Sequence, residues 1–237
     1  YQTKAVIRRS VNHGTITGKK DQAGGVVGRM DLGQVTHCEN YGTVSSTDGS
    51  YVGGIAGGSW GTIRESWSRC TLSGDHYVGG IAGYGTNLKN CRSAVEITDA
   101  KAYTGTIAGD RDTEGIVTGN TFTHDSLGGI DGISYAGKAE GMSYEAFMAR
   151  DGIPAEFSSF AVTFTANGET VYEEKDMTPK SYDSHELQFT VPVSALKDDT
   201  LTLDITFSAI PKSEDNKDAG KRTRAIRVSD LVITAEE

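Results

Sequence analysis

Apolar residues return at a nearly constant interval through the first half of the chain, separated by polar and glycine-rich stretches. One set recurs every 25 to 29 residues: Ile7, Val35, Ile63, Leu88 and Val117. Two further sets keep the same interval: Val26, Ile55, Ile81 and Ile107, and Ile16, Val44, Leu72 and Ile97. A period of this length is typical of stacked repeat architectures rather than of isolated helices or hairpins.

A glycine motif marks the same interval. The stretch Val52–Gly57 returns as Val78–Gly83 and, altered, as Thr104–Gly109, with an earlier copy at Ala23–Gly28. A second motif accompanies it at 7–16, 35–44, 63–72 and 88–97. Each period therefore offers three short extended pieces separated by corners, which describes one coil of a β-solenoid.

Stacked coils explain why the apolar positions recur. At a strand spacing of about 4.8 Å, equivalent residues form columns, and no coil buries its apolar face until a neighbour covers it. Glycine suits the corners because it tolerates close backbone approach and positive φ. We therefore predict an all-β chain whose residues 1–122 form a parallel β-helix-like solenoid of about four to five coils.

The repeat resembles the GLUG motif family. The residues that carry the resemblance are Val52–Gly57 and Val78–Gly83, together with blocks of the Cys38–Val44 type. That family consists of bacterial extracellular proteins, including large Gram-positive surface proteins and the non-catalytic part of some IgA-specific metallopeptidases. The resemblance covers roughly residues 5–122. It implies a cell-surface or cell-wall location and a non-enzymatic role, and it implies no binding residues.

Residues 123–156 lose the period and are predicted to form a cap and linker with one short helix. Ser143 is a good helix N-cap, and Met142 and Phe147 have the spacing of a hydrophobic staple. Pro154 ends the helical pattern. Since the last coil of a solenoid exposes unpaired strand edges, we expect this segment to cover it and to bury Phe147.

Residues 157–237 are predicted to form an antiparallel β-sandwich module. Alternating apolar and polar residues begin at Phe160, and Asn167-Gly168 indicates a type I′ hairpin turn. Further alternating segments follow at 187–193, 200–210 and 224–234. At least five strands in about 80 residues, with almost no helical pattern, are typical of a small sandwich.

Composition separates the two halves and excludes some partners. Of the 30 glycines, 24 precede residue 130, and residues 1–125 carry 12 basic and 12 acidic side chains, so the net charge of -9 belongs to the later part. No basic stripe exists, which argues against nucleic acid and anionic membranes. There is no apolar run of about 18 residues, so no membrane insertion is expected. Because Tyr1 does not open a signal peptide, we expect a mature or excised piece.

The three cysteines lack the spacing of a zinc site. Cys38 and Cys91 fall in one column, two coils and about 9.6 Å apart, which exceeds the Cα separation of about 7 Å that a disulfide allows. Cys70 lies in another column. We therefore expect three free thiols.

The corner after each double-glycine piece carries the most suggestive side chains. Met30, Trp60 and Tyr84 occupy roughly corresponding places, and stacked exposed aromatic groups suit a sugar or a partner protein. Covering the open corner of the core is the alternative role. Tyr51, Tyr77 and Tyr103 recur every 26 residues. Each stands an even number of positions from Ile55, Ile81 or Ile107, so it is expected on the same side of the strand, which favours a partly buried structural ladder.

No motif indicates catalysis, a cofactor or a bound metal. The histidines lack ligand spacing, no serine nucleophile elbow is present, and no Gly-Lys-Ser/Thr follows the glycine motifs. The loop 211–222 could donate calcium ligands, although its lysines dilute the negative field. Solenoid enzymes place paired carboxylates on one coil face. Four candidate carboxylates do not fall in one column: Asp31, Glu65, Asp99 and Asp112.

The leading hypothesis is a non-catalytic, adhesin-like rod or spacer of a bacterial cell-surface protein, carrying a β-sandwich interaction module. Its partner would be a host or cell-wall glycan or protein. A carbohydrate-binding module of a secreted or surface enzyme is the alternative, for which Tyr172 and Tyr182 are candidates. A polysaccharide-active solenoid enzyme is the third hypothesis.

Overall fold

The computed structural model describes residues 5–154, 157, 160–177, 189–192, 194 and 202–209. The chain begins with β1 (Val6–Arg8), β2 (Val11–Asn12), β3 (Ile16–Gly18), β4 (Ala23–Gly24), β5 (Val27–Met30), β6 (Gln34–Thr36), β7 (Glu39–Asn40), β8 (Thr43–Ser46) and β9 (Val52–Gly53). It continues with β10 (Ala56–Arg64), β11 (Trp67–Ser68), β12 (Thr71–Ser73), β13 (His76–Gly79), β14 (Ala82–Lys89), β15 (Arg92–Ser93), β16 (Glu96–Asp99), β17 (Ala102–Gly105), β18 (Ala108–Arg111), β19 (Val117–Thr118) and β20 (Asn120–Phe122). After these come β21 (Ala139–Gly141), α1 (Tyr144–Met148), β22 (Phe160–Ala166), β23 (Glu169–Met177) and β24 (Leu203–Ala209).

The strands up to β21 form four parallel sheets that run along a solenoid axis. Sheet A consists of β1, β5, β6, β10, β14, β18 and β19, and sheet B has the order β2-β7-β11-β15-β20-β21. Sheet C has the order β3-β8-β12-β16, and sheet D the order β4-β9-β13-β17. Sheets C and D each contain four strands, one from each of four coils, which confirms the predicted parallel β-solenoid.

The three predicted apolar columns are present. Ile63 pairs with Val35 on one side and with Leu88 on the other. The Ile55 N–H donates to the Ile81 carbonyl oxygen at 3.0 Å, so these two side chains lie in successive layers of the core, and both are fully buried. The third column keeps its register through sheet C. The prediction that Ile55 and Ile81 stack inside the solenoid is therefore confirmed.

Each coil has four strand directions instead of the three predicted pieces. The first piece divides between sheets A and B at a residue in the left-handed region, with φ between 49° and 67° in every coil: Arg9, His37, Glu65, Asn90 and Gly119. Only the last of these is glycine, and β-branched residues, which avoid this region most strongly, are absent from the set. The corner was missed because four of the five residues carry no turn signal as strong as glycine.

The solenoid encloses two apolar cores. The larger lies between sheets A and B and contains the columns that include Ile63 and Ile55. The smaller lies between sheets C and D and contains Val44, Val52 and Leu72. The sequence pattern alone suggests one shared interior, because it shows which positions are apolar but not how the coil folds across its own middle.

A waist separates the two cores, and it explains the second glycine of the first three copies of the motif, a position that the buried Thr106 occupies in the fourth. A Cβ atom at Gly54 would overlap the Gly80 carbonyl oxygen and the Ser68 hydroxyl. Gly25 meets the Asn40 amide in the same way, and Gly80 meets the hydroxyl of Ser93, a residue that is fully buried. In these three coils, the backbone therefore packs directly against a column of small polar side chains, and a side chain at the glycine position would separate the two walls.

Residues 128–141 cover the end of the larger core. The N–H groups of Thr106 and Ile107 donate to the carbonyl oxygens of Gly128 and Gly129, and Ile130 enters the core at 3% exposure. Strand β21 adds a sixth layer to sheet B by pairing with β20. This part of the predicted cap is confirmed.

The helix lies on the side of the solenoid and not over its end. The predicted helix N-cap is present, since the Ser143 hydroxyl accepts a hydrogen bond from the Ala146 N–H at 3.2 Å. Phe147 is fully buried as predicted, but it packs with Phe157, Ile153 and Trp67 on the outer face of sheet B. The predicted position of the helix is wrong because the apolar pattern of the helix shows only that Phe147 is buried. The surface on which it packs is formed by residues distant in the sequence.

A flank segment, formed by residues 142–154 together with Phe157, runs back along sheet B. The Phe157 ring lies 5.9 Å from the ring of Tyr41 in the second coil. Its carbonyl oxygen accepts hydrogen bonds from Arg69 and, at 2.6 Å, from the Tyr144 hydroxyl. The Arg92 guanidinium lies 4.5 Å from the Trp67 ring centre and donates to the Asp151 carbonyl oxygen. The chain thus reverses its direction along the axis after the last coil.

The described part of the C-terminal region is an antiparallel sheet. Strand β22 lies in the middle, between β23 and β24. Asn167 and Gly168 have φ values of 47° and 87°, as the predicted hairpin turn requires. Val162 and Phe164 are buried and contact Tyr172, Phe189, Leu203 and Ile205. The strand predicted at 224–234, Tyr182 and the loop 211–222 lie outside the described residues.

The waist generates a first prediction, which compares two glycine-to-alanine changes. Gly54→Ala should lower the free energy of unfolding by about 3 kcal/mol or more, because neither the Gly80 backbone nor the Ser68 column can move away without opening both cores. Gly14→Ala is the matched control, since its Cβ would meet only the Asn12 Oδ1 atom at 3.5 Å. Urea unfolding measures both. Equal losses would refute the waist argument.

The cysteines generate a second prediction. Cys38, Cys70 and Cys91 are free and buried, which agrees with the sequence-based expectation. Burial raises the pKa of the Cys70 and Cys91 thiols to about 12, so the reactive thiolate is scarce at pH 8. Mass spectrometry after alkylation should show no label on the folded chain and three labels on the unreduced, unfolded chain. Two missing labels would reveal a disulfide.

Candidate functional site

A ladder of tyrosines occupies one corner of the solenoid. In successive coils, Tyr51 directly precedes its strand of sheet D, whereas Tyr77 and Tyr103 are the second residues of theirs, and the three φ values are 64°, 58° and 54°. Gln22 has the same conformation in the first coil, with φ of 72°. The left-handed conformation is costly for a residue with a side chain, by roughly 1–2 kcal/mol each, so surrounding contacts must hold it.

Ring stacking is the contact that accompanies this conformation. The Tyr51 and Tyr77 ring centres are 4.7 Å apart with planes at 4°, and those of Tyr77 and Tyr103 are 4.5 Å apart at 3°. These separations match the strand spacing of about 4.8 Å. The stacking of successive coils therefore places the rings in van der Waals contact without further adjustment. The predicted tyrosine ladder exists, and its first two members are half-buried.

A second row of stacked groups lies on the outer face of sheet A. Gly58 pairs with Arg29 in the preceding coil and with Tyr84 in the following one. The Trp60 ring fills the space above Gly58, where a Cβ atom would lie 3.0 Å from its Cζ3 atom. The indole is therefore held between its neighbours: the Arg29 guanidinium lies 4.9 Å from its ring centre, and the Tyr84 ring 5.7 Å at 36°.

Met30 does not belong to this row. The predicted correspondence of Met30 with Trp60 and Tyr84 is wrong, because Met30 pairs with Ser59 and points into the larger core at 7% exposure. Met30 stands two positions after the closing glycine of its motif, whereas Trp60 stands three positions and Tyr84 one position after theirs. Because side chains alternate between the two faces of a strand, Met30 points inward. Trp60 is brought beside Tyr84 only because its ring lies across Gly58.

Five aromatic residues from the ladder and the second row form a surface that we call the aromatic strip: Tyr51, Tyr77, Tyr103, Trp60 and Tyr84. Trp60 is 37% exposed and Tyr103 is 40% exposed. Burial is the first cause that raises the pKa of Tyr84, followed by the nearby carboxylates of Asp112 and Asp110. Burial also leads the rise in the pKa of Tyr77, with Tyr103, Tyr51, Asp110 and Asp131 contributing.

Charge is distributed unequally along the strip. At the end nearer the first coil, the Arg29 Nε donates to the Asp31 carboxylate at 2.6 Å, which neutralises this pair. At the other end, Asp110 pairs in register with Tyr84. Asp112 and Asp131 also lie close enough to the tyrosines to influence their pKa values. The end of the strip near the fourth coil is therefore acidic.

Other candidate residues are placed elsewhere. Asp31 and Asp112 belong to the first and fourth coils, so about 14 Å of stacked strands separates them, beyond the 5–9.5 Å of glycosidase carboxylate pairs. The Tyr172 hydroxyl donates to Glu174 at 2.7 Å on β23, and its ring stacks 5.3 Å from Phe189. Within the described ranges, no helix is long and apolar enough to cross a membrane, and no three metal-ligating side chains converge.

Sequence reasoning missed Arg29 and the role of Gly58. The available signal was the extra glycine directly after Gly57, which no other copy of the motif has. An extra glycine two residues before a tryptophan on the same strand face leaves room for the ring to lie over the strand. Arg29 itself becomes apparent only when the coils are stacked in register.

Comparison with known proteins adds no relative. No family model matches the chain, and neither curated proteins nor solved structures show significant similarity to it. The GLUG-like identity of the repeat therefore stays a prediction that rests on the motif residues.

The tyrosine ladder generates a third prediction. Tyr77→Ala should lower the free energy of unfolding by about 1–3 kcal/mol, because Tyr77 is stacked on both faces and each aromatic pair contributes about 0.5–1.5 kcal/mol. Tyr77→Phe keeps both stacking contacts and should stay within about 0.5 kcal/mol of the original chain. Urea unfolding of the two variants decides the point. Equal losses would assign the effect to the hydroxyl and not to the stacked rings.

Proposed function

We propose that this chain is a non-catalytic, adhesin-like segment of a bacterial cell-surface protein and that its solenoid presents the aromatic strip to a partner. The observation that carries the proposal is the strip itself: five aromatic side chains aligned along three stacked coils, with Trp60 and Tyr103 substantially exposed. Tyrosine and tryptophan offer large amphipathic contact area and are enriched where proteins bind partners.

Rigidity of the strip supports a binding role. Each ring is held by a neighbouring ring or guanidinium at 4.5–5.7 Å. A partner therefore does not have to order these side chains, which would otherwise cost about 0.5–1.5 kcal/mol for each one immobilised. The backbone beneath them is fixed by parallel pairing in every coil. A preorganised surface of this kind suits adhesion.

The flank segment favours presentation of a surface over simple spacing. A spacer that continued in line would lead the chain away from its last coil. Here Phe157 contacts Tyr41 of the second coil and Trp67 of the third. After the last coil, the chain therefore returns along the side of the stack.

The C-terminal region enters the proposal as an interaction module. Strands β22, β23 and β24 form an antiparallel sheet with Phe164, Tyr172 and Phe189 on one face. A single sheet with one apolar face needs a second layer to cover it, and a β-sandwich is the arrangement that best meets this need.

A carbohydrate-binding role is the second candidate function. Trp60 and Tyr84 favour it, since their adjacent rings form an exposed apolar surface bordered by the carboxylates of Asp110 and Asp112. Apolar faces of sugar rings pack on such surfaces while their hydroxyls bond to the polar border. Location at the cell surface or cell wall rests on the GLUG-like motifs, and the partner would be a host or cell-wall glycan or protein.

Adhesion of beads coated with the full chain tests the proposal and forms a fourth prediction. Retention on mucin, host cells or isolated Gram-positive cell walls should fall at least about tenfold in the Trp60→Ala/Tyr84→Ala variant, because truncation removes the exposed centre of the strip. Thr71→Ala/Ser73→Ala is the matched control, since these side chains lie on the outer face of sheet C.

Two results would contradict the proposal. Retention that is independent of Trp60 and Tyr84 would remove the strip as the adhesive surface. Release of reducing ends from polysaccharides by the purified chain would show an enzyme. A glycan array then separates a carbohydrate partner from a protein partner.

A further inference from the structure

The acidic end of the aromatic strip differs in chemistry from its centre. Tyr77 covers one face of the Tyr103 ring, and Tyr103 is the last ring of the stack and 40% exposed. Asp110 lies in the same coil, and Asp131 lies one layer further on, where the capping segment crosses the end of the core. Both carboxylates influence the pKa of Tyr77. The stack thus ends in a partly exposed ring that lies near negative charge.

Nearby cations do not neutralise this border. Lys101 forms an ion pair with Asp75, whose carboxylate also contacts His76. Arg111 pairs in register with Gly85, which in turn pairs with Ser59. Ser59 is fully buried, so this position lies on the side of the strand that faces the core in earlier coils. A cationic partner therefore meets carboxylates that no ion pair among the described residues occupies.

The solenoid already contains the contact that such a partner would make. The Arg29 guanidinium stacks on Trp60 and pairs with Asp31. The Arg92 guanidinium lies over Trp67 and donates to a backbone carbonyl oxygen. A guanidinium stacks on an aromatic face and bonds to a carboxylate with its edge at the same time. Tyr103 with Asp110 and Asp131 offers the same pair of groups without an internal arginine.

We propose that the acidic end of the strip binds an arginine-containing segment of a partner protein, with one guanidinium stacked on Tyr103 and paired with Asp131 or Asp110. This inference rests on the proposed adhesive function and specifies its ligand class. Charge complementarity favours a basic polypeptide over a neutral glycan, because a neutral sugar gains little from several carboxylates that it cannot neutralise. Arginine is preferred to lysine because only its planar group stacks and pairs together.

Calorimetric titration of the full chain with ten-residue peptides tests this inference and forms a fifth prediction. The probes are (Arg-Ser)5, (Lys-Ser)5, (Glu-Ser)5 and (Gly-Ser)5. (Arg-Ser)5 should bind more tightly than (Lys-Ser)5, the other two should not bind, and affinity should fall as salt rises. Asp110→Asn/Asp131→Asn should weaken (Arg-Ser)5 about fivefold or more. Asparagine is compatible with the φ of 45° at position 131.

Matched variants separate charge from folding and from ring stacking. Glu96→Gln/Asp99→Asn removes the same number of charges at two exposed positions of β16 in sheet C and should leave binding unchanged. Tyr103→Phe should bind within about twofold of the original chain, whereas Tyr103→Leu, which is no more strained at this φ, should weaken binding about fivefold.

Several outcomes would overturn the inference. Unchanged binding in the Asp110→Asn/Asp131→Asn variant would exclude the carboxylates, and equal binding of (Gly-Ser)5 would exclude the guanidinium. Binding of neutral chitin or mannan oligosaccharides that depends on Tyr103, without binding of (Arg-Ser)5, would replace a basic protein with a glycan. In that case the adhesive function of the strip would stand. Loss of bead retention in Trp60→Ala/Tyr84→Ala tests that function independently.

Discussion

The close approach of two backbone walls at the waist constrains the rest of the solenoid. Gly54 and Gly80 have no room for a side chain, because the column that contains Ser68 and Ser93 packs directly against them. This contact folds each coil across its middle and creates two cores instead of one. It also explains why glycine, usually costly within strands, recurs here at a fixed interval. Asn40, Ser68 and Ser93 face these glycines, and their column lies between the apolar ones.

Strand spacing then determines what the surface can carry. Once parallel pairing sets equivalent residues about 4.8 Å apart, any aromatic residue repeated at a corner is placed at stacking distance from the next. Tyr51, Tyr77 and Tyr103 use this geometry, and it offsets the cost of their left-handed backbone. Trp60 reaches a similar arrangement differently, by lying over Gly58. The aromatic strip is thus a consequence of the stack, and its rigidity follows from the same cause.

The flank segment links the architecture to the proposed role. By packing Phe147 and Phe157 on sheet B, it returns the chain towards the second coil and leaves the aromatic strip, on sheet A and the adjoining corner, uncovered by that segment. Helix and strip occupy different faces of the same stack. This arrangement leaves one face of the stack free of the flank segment, and the acidic end of that face is where the proposed basic partner would bind.

The sequence alone determined the repeat, the three apolar columns, the tyrosine ladder, the helix cap at Ser143 and the hairpin turn at Asn167-Gly168, because each depends on local spacing or on a residue with one favoured conformation. Tertiary structure decided the waist, the burial of Met30 and the meeting of Trp60 with Arg29. These features depend on the exact register between successive coils, in which equivalent residues are 25 to 29 positions apart in the sequence. A shift of one residue exchanges the inner and outer faces of a strand, and only the packed structure chooses between them.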